Sequence, residues 1–177
     1  MAYWLTELES AIYARLIGDT GSGGLLASGS ELVAAHPGGS GLGIYRTMIP
    51  EASTGTVYPC VTFMVGQASI DDAMRTSARA CRVLFAVEVQ RTGTSGATQF
   101  DPVARGAAIA QRVEGNWYEK AAGTAPDYGL DRWRPSLGVG TTWESDIMAL
   151  ESWATAHDES LFRWELNFTV LISRTGA

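Results

Sequence analysis

The sequence is poor in the residues from which most catalytic and metal sites are built. Its 177 residues include two histidines and two cysteines, and neither His36 nor His157 has a partner at the spacing of a metal-ligand set. The adjacent carboxylates Asp71 and Asp72 are typical of a solvated turn, and no G-x-S-x-G nucleophile motif occurs. We therefore expect no catalytic residues, no metal and no cofactor, and we do not expect an enzyme.

Positive charge is also scarce. The 13 Lys and Arg are outnumbered by 19 Asp and Glu, so the net charge is -6 and the pI is about 4.9. Nucleic-acid-binding surfaces use Lys and Arg to neutralise phosphates, so we expect no sequence-specific nucleic-acid binding, although DNA can pass nearby without adhering. No apolar run approaches the roughly 20 residues that span a bilayer, and residues 1–5 lack the pattern of a signal peptide. These absences predict a soluble protein without membrane contact.

Glycine, by contrast, is abundant, with 20 residues that cluster in irregular segments at about 18–42 and 118–142. The run from Gly18 to Gly24 resembles a phosphate-binding loop, but no Lys-Ser/Thr pair follows it and no strand precedes it, so we do not expect a P-loop. Apolar residues between 25 and 33 predict one short helical region inside the first segment. A loop of this length in a compact domain is either functional or a mobile surface insertion.

The end of the chain has the clearest pattern. Between residues 161 and 173 apolar side chains alternate with others, which predicts a half-buried antiparallel strand, because successive strand residues point to opposite faces. Its apolar positions are Phe162, Trp164, Leu166, Phe168, Val170 and Ile172. Further strands are predicted at 44–49, 57–66, 82–91, 130–137 and 143–154.

The two cysteines lie in neighbouring predicted strands. Cys81 shares the parity of the apolar residues of its strand, whereas Cys60 has the opposite parity, so we expect no disulfide. Pro59 cannot donate to a strand ladder, so its strand begins near it or has an edge there. Glu88 is predicted at an outward position of the 82–91 strand.

Two amphipathic helices are predicted, one at 5–17 and one at 103–117. Thr6 and Glu9 resemble a capping box for the first helix, while Asp101 and Pro102 supply an N-cap and a first-turn proline for the second. The order of helices and strands predicts a single α+β domain spanning residues 1–177. Its mixed, mainly antiparallel sheet has both helices packed on one face and carries long Gly-rich loops.

Large aromatic residues crowd around the second irregular segment, where a small domain has difficulty burying them. Because Trp and Tyr are enriched in subunit contacts, we interpret five of them as interface candidates. The alternative is a stacking platform for carbohydrate or single-stranded nucleic acid. The five are Trp117, Tyr118, Tyr128, Trp133 and Trp143.

Six features follow one another along the chain, namely the opening helix, Gly43-Ile44-Tyr45-Arg46, the YPCVTF strand at 58–63, the strand 82–90, the helix 103–114 and the closing strand 162–168. In this order of elements the chain resembles the tail terminator (minor tail, tail-completion) family of tailed phages. The resemblance covers most of the chain, and the 18–42 and 118–142 segments depart from the compact family pattern.

The resemblance implies a structural virion protein of the tail or neck, assembled in the host cytoplasm, with no active site. It implies a homohexameric ring that terminates the tail tube and contacts the tail tube protein and the head-completion or connector proteins. DNA would pass through the channel of the ring. The alternatives are a head-to-tail connector or tube-like neck protein, and a small α+β module that binds a ligand or peptide.

Overall fold

The computed structural model describes residues 3–36, 43–46, 58–67, 78–90, 101–115, 129–138, 143–157 and 160–174. Three helices and six strands lie within these residues. In chain order they are α1 (Tyr3–Ile17), α2 (Glu31–Ala35), β1 (Ile44–Tyr45), β2 (Cys60–Gln67), β3 (Ala78–Gln90), α3 (Pro102–Glu114), β4 (Trp143–Ser145), β5 (Ala149–His157) and β6 (Leu161–Arg174). The predicted α+β class is confirmed.

The six strands form one sheet in the order β1-β2-β3-β6-β4, with β5 also paired to β6. Only β1 and β2 run parallel, so the sheet is mixed and mainly antiparallel, as predicted. Because β3 occupies one side of β6 along its length, β4 and β5 pair one after the other with its opposite side. Together they form that edge of the sheet.

The core lies between the sheet and the two longer helices. α1 contributes residues one turn apart, namely Trp4, Leu8, Ile12 and Leu16, and α3 contributes Ile109, Ala110 and Val113. They belong to the same buried cluster as the alternating residues of β3 and β6, so both helices cover one face of the sheet. We call this the helix face and the opposite side the outer face.

The predicted cap at Asp101 and the predicted strand start near Pro59 are confirmed, and a glycine sets the distance between α3 and the sheet. Asp101 caps α3 and its carboxylate accepts hydrogen bonds from the backbone N–H groups of Val103 and Ala104. β2 begins at Cys60, directly after Pro59. Gly106 lets α3 approach the sheet closely, because a Cβ at this position would overlap the ring of Trp164.

Several predicted boundaries are wrong. β3 begins at Ala78 and not at 82, and α3 ends at Glu114 and not at 117. Three further differences follow. α1 begins at Tyr3, so Thr6 lies inside it and caps nothing. Residues 130–137 form no strand, since Arg132 has a φ of 60° and breaks the extended conformation. The predicted strand 143–154 is divided into β4 and β5, because the chain leaves the ladder at 146–148, where the backbone of buried Met148 bonds to the 132–133 segment.

The described part of the first Gly-rich segment, residues 18–36, is not a mobile insertion. Leu25, Leu26 and Leu32 are buried in the core, and α2 provides the short helix that was predicted there. His36 at the end of α2 places Nε2 3.1 Å from the carbonyl oxygen of Pro59, which ties α2 to the start of β2. None of the described helices combines the length and apolarity needed to cross a bilayer.

Candidate interface surfaces

Two of the five predicted interface residues, Trp133 and Trp143, lie in the described part of the chain. Both are half-buried and pack against the edge of the core. Trp117, Tyr118 and Tyr128 lie outside the described residues. The predicted role of all five in subunit contacts stays a prediction.

Trp133 and Trp143 both pack against α1. The ring centroid of Trp143 is 6.1 Å from that of Trp4, and the guanidinium of Arg15 lies 4.7 Å from the ring centroid of Trp133, within the range of a cation–π contact. Their inner surfaces are therefore used within the chain. Their outer surfaces stay open to solvent and to a partner.

Hydrogen bonds from α1 hold the irregular segment 129–138 in place. The Nε of Arg15 donates to the carbonyl oxygen of Gly129 at 2.9 Å, and Glu7 accepts from the backbone N–H of Gly138 at 3.1 Å. A surface cavity of about 330 Å³ lies between this segment and β4, beside Trp143. The half-buried tryptophans thus lie on an ordered surface.

The β5 edge is a second candidate surface. Residues 151–157 are exposed on both faces of this strand, although it is paired with β6 along its length. At its centre Trp153 lies opposite Leu166 on the helix face, and 43% of it is exposed. Edge strands usually carry Lys or Pro that discourage pairing, and β5 carries neither, although a bulge lies between Leu150 and Ser152.

A third surface is an apolar pocket between α2 and α3, which we call the α2–α3 pocket. Its volume is about 180 Å³. Leu25, Leu32 and Ile109, which are largely buried, form its floor, and Arg105 and Arg112 of α3 lie at its rim. The spacing of seven residues places both arginines on the same side of the helix.

Ion pairs brace the walls of the α2–α3 pocket. Arg112 donates to both carboxylate oxygens of fully buried Asp19, from Nε at 2.7 Å and from Nη2 at 2.6 Å. Asp19 also accepts from the backbone N–H of Leu25 at 2.9 Å. On the other side, Arg105 pairs with Glu31 of α2. The α2–α3 pocket is therefore formed by contacts within the chain itself and needs no partner to hold its shape.

The outer face carries a buried polar cluster that the sequence did not indicate. Glu88 has the predicted outward direction but is only 3% exposed, because Arg163 on β6 donates from Nε to its Oε1 at 2.8 Å. The Cys60 thiol donates to the other oxygen of Glu88 at 3.8 Å. Burial, and then the charge of Glu88, raise the pKa of the Cys60 thiol well above its ordinary value.

The two cysteines occupy opposite faces, as their parity predicts. Cys81 is buried in the core on the helix face and Cys60 on the outer face, and both are free thiols. Burial raises the pKa of the Cys81 thiol to about 12. At neutral pH both are protonated and poor nucleophiles, since the thiolate is the reactive form.

The described residues bring few potentially reactive groups together. Within them, no three His, Cys, Asp or Glu side chains gather where they could hold a metal ion. Among the described residues, Tyr45 and Glu114 also have shifted pKa values, and burial is the first cause that raises both. Neither residue lines either of the two cavities.

The fold has a match among solved structures. The fold is similar to that of a chain in the virion of a native gene transfer agent particle, with a TM-score of 0.55 and 16% sequence identity, over 94% of both chains. No protein-family model matches the sequence, and no curated protein matches it. At this identity the likeness shows a shared fold.

Sequence reasoning missed Trp153 and the buried pair of Asp19 and Arg112. Trp153 falls within a predicted strand, but a sequence pattern does not say which strand lies at a sheet edge. Asp19 was hidden in a glycine-rich run typical of a loop. One signal in the sequence could have indicated that this segment is packed. Several residues from 25 to 33 are apolar, which is not expected of a solvated insertion.

Proposed function

We propose that this chain is a structural component of a phage-like virion and that it acts as a tail terminator. As a single-domain subunit, it forms a homohexameric ring that ends the tail tube and joins it to the head or neck. The observation that carries the proposal is the likeness of fold to a gene transfer agent virion chain over 94% of both chains. The position within the tail rests on the sequence resemblance to tail terminators.

The described surfaces support the proposal that the chain is a subunit of an assembly. Half-buried Trp133 and Trp143, the open edge of β5 and the α2–α3 pocket give the chain several distinct faces for neighbours. Ring subunits need two different patches, because each copy contacts its neighbour head to tail. The acidic balance of the chain suits a channel through which DNA slides without adhering.

The solution mass across a concentration series, with negative-stain imaging of any large species, tests the ring. Closed rings of six subunits are the expected result. Adding the tail tube protein of the same particle then tests termination. The chain should bind one end of the tubes and stop their growth, whereas tubes that lengthen unchanged in its presence contradict the assignment.

The second candidate is a head-to-tail connector or tube-like neck protein, favoured by the same likeness to a virion chain. A connector would form rings that bind head-completion proteins without limiting tube length. The ligand-binding module is less well supported, because the α2–α3 pocket, at about 180 Å³, is smaller than most small-molecule sites. A chain that stays monomeric and binds a small ligand with saturation would favour the ligand-binding module.

A further inference from the structure

The end of α3 and the start of the segment 129–138 are joined backbone to backbone. The N–H of Leu130 lies 3.0 Å from the carbonyl oxygens of both Val113 and Glu114. The N–H of Asp131 donates to the carbonyl oxygen of Glu114 at 2.8 Å. These bonds satisfy carbonyl groups that the last turn of a helix leaves without partners inside the helix.

Two glycines allow the backbones to come this close. A Cβ at Gly129 would overlap the backbone of Gly115, so a larger residue does not fit there without a shift. The Nε of Arg15 on α1 donates to the carbonyl oxygen of Gly129 at 2.9 Å. The junction between α3 and the segment is therefore specified by contacts from three parts of the chain.

The junction brings two carboxylates together. Glu114 is the last residue of α3, and Asp131 is bonded to its carbonyl group, so the two side chains leave neighbouring stretches of backbone. The carboxylate of Asp131 accepts a hydrogen bond from the N–H of Leu150 at 3.0 Å and lies 4.0 Å from the Nε of Arg132. Among the described residues, no donor or cation pairs with the carboxylate of Glu114. Glu114 is therefore the less compensated of the two.

A negative charge on Glu114 is unfavourable for two further reasons. The residue lies at the C-terminal end of a helix, where the helix dipole is itself negative. Its side chain is also half-buried and has lost part of its hydration. Burial, and then the charge of Asp131, raise the pKa of Glu114. A proton on Glu114 removes the repulsion and leaves the backbone bonds of the junction in place.

The arginines around the junction are engaged with other groups. Arg15 of α1 bonds to a backbone carbonyl and packs over an indole ring. Arg112, two residues before Glu114 on α3, pairs with a buried carboxylate, and Arg132 faces Asp131. On β5, the N–H of Leu150 bonds to Asp131, and the nearest charged residue in the sequence is exposed Glu151. A proton is therefore the simplest source of compensation for Glu114.

We propose that Glu114 and Asp131 form a proton-sensitive latch between α3 and the segment 129–138, which tightens when Glu114 takes up a proton. The latch acts within a single chain, so it goes beyond the proposed function and does not depend on it. The segment carries Trp133 and borders the cavity beside Trp143. The latch therefore adjusts how firmly this candidate interface surface is held.

Hydrogen exchange at the amides of Leu130 and Asp131 tests the latch. The full chain is followed by NMR from about pH 4 to pH 8, with the intrinsic pH dependence of exchange removed. Because a raised pKa means that the folded chain holds the proton more readily, the latch is firmest at low pH and loosens as Glu114 loses its proton. Opening at the two amides should increase about two- to fivefold over this range, the size expected for an unfavourable charge at a helix end. Glu114→Gln should abolish the increase.

Three controls separate the latch from other effects. Asp131→Asn keeps an oxygen for the N–H of Leu150 but removes the repelling charge, so it should also abolish the increase. Glu165→Gln makes the same change of charge at an exposed position of the outer face and should behave as the wild type does. The amide of Leu26 bonds to the carbonyl oxygen of Asp19 at 2.9 Å and should exchange alike in every variant.

Each outcome supports or overturns the latch. Equal pH dependence in the wild type and in Glu114→Gln overturns it. A protection gained by Glu114→Gln that is equally large in the Asp131→Asn background shows that the two carboxylates do not act on each other, and this also overturns it. Equal changes at Leu26 show a response of the whole chain and contradict a local latch. None of these results alters the ring and tube-capping tests of the proposed function.

Discussion

Asp19 and Arg112 are 93 residues apart in the sequence, yet Arg112 donates two hydrogen bonds to the Asp19 carboxylate, at 2.7 and 2.6 Å. Asp19 is fully buried and Arg112 is one-third exposed. This pair joins the segment after α1 to α3, and it explains why a glycine-rich run packs as part of the core. Within the described residues, Arg112 is the cation that neutralises this buried carboxylate.

Replacing Asp19 should destabilise the protein strongly. Asp19→Asn removes one charge of a buried pair and leaves Arg112 facing an amide, so we expect a loss of about 2 to 4 kcal/mol in the free energy of unfolding. Urea denaturation measures it. Asp146→Asn is the matched control, because the Asp146–Arg134 pair is largely exposed and should contribute less than about 1 kcal/mol. Equal losses in the two variants would contradict the structural role of Asp19.

Adding a single methyl group to α3 should be harmful. In Gly106→Ala the new Cβ overlaps the rigid ring of Trp164, and overpacking of this kind costs about 1 to 3 kcal/mol even though alanine favours helices. Gly66→Ala is the control, since a Cβ at Gly66 meets nothing within 4 Å. Thermal melting of both variants checks the expectation. A Gly106→Ala variant as stable as the wild type would show that α3 is free to move away from the sheet.

Trp143→Ala should weaken assembly more than folding. Trp143 is half-buried and keeps an open outer surface, whereas Phe168 is fully buried and packs edge-on against Phe85, with the ring centroids 5.5 Å apart. Phe168→Ala should therefore cost about 3 to 5 kcal/mol of stability through lost burial and a cavity. The solution mass and the melting temperature of the two variants give the comparison. If Trp143→Ala unfolds as readily as Phe168→Ala, the tryptophan belongs to the core and not to an interface.

Both thiols should be unreactive in the folded protein. Burial raises the pKa of Cys81 to about 12 and also raises that of Cys60, so at pH 8 the thiolate of Cys81 is about a thousandfold or more scarcer than that of a free cysteine, with its pKa of about 8.5. A chromogenic disulfide reagent should label neither residue quickly in buffer and both quickly in denaturant. Because a raised pKa keeps the thiol protonated, labelling should become easier as the pH rises towards 12. Rapid native labelling at pH 8 would show that one of the strands opens.

Much of the sheet could be predicted from the sequence, because strand parity is a local property. The alternation of Phe162 to Ile172 and the opposite parities of Cys60 and Cys81 both gave the correct face. The cap at Asp101 could also be predicted from neighbouring residues. These signals depend on residues close in sequence, so tertiary structure does not alter them.

The rest depends on which elements become neighbours, and no local pattern carries that information. From the sequence alone, Glu88 is predicted to be a solvated strand residue. It is buried because it pairs with Arg163, which lies on a strand that is remote in sequence. The exposure of Trp153 follows from the place of β5 at the edge, since no described strand pairs with its free side. The candidate contact surfaces therefore become visible only once the sheet order is known.

α3 is held at two points. Gly106 packs closely against Trp164 of β6, and Arg112 pairs with the carboxylate of Asp19. Close-packed interiors compress little and transmit strain. A force applied at the α2–α3 pocket is therefore transmitted through α3 to the central strands and is not dissipated in the loop beside the pocket. In mechanical terms α3 acts as a stiff strut between the α2–α3 pocket and the central strands.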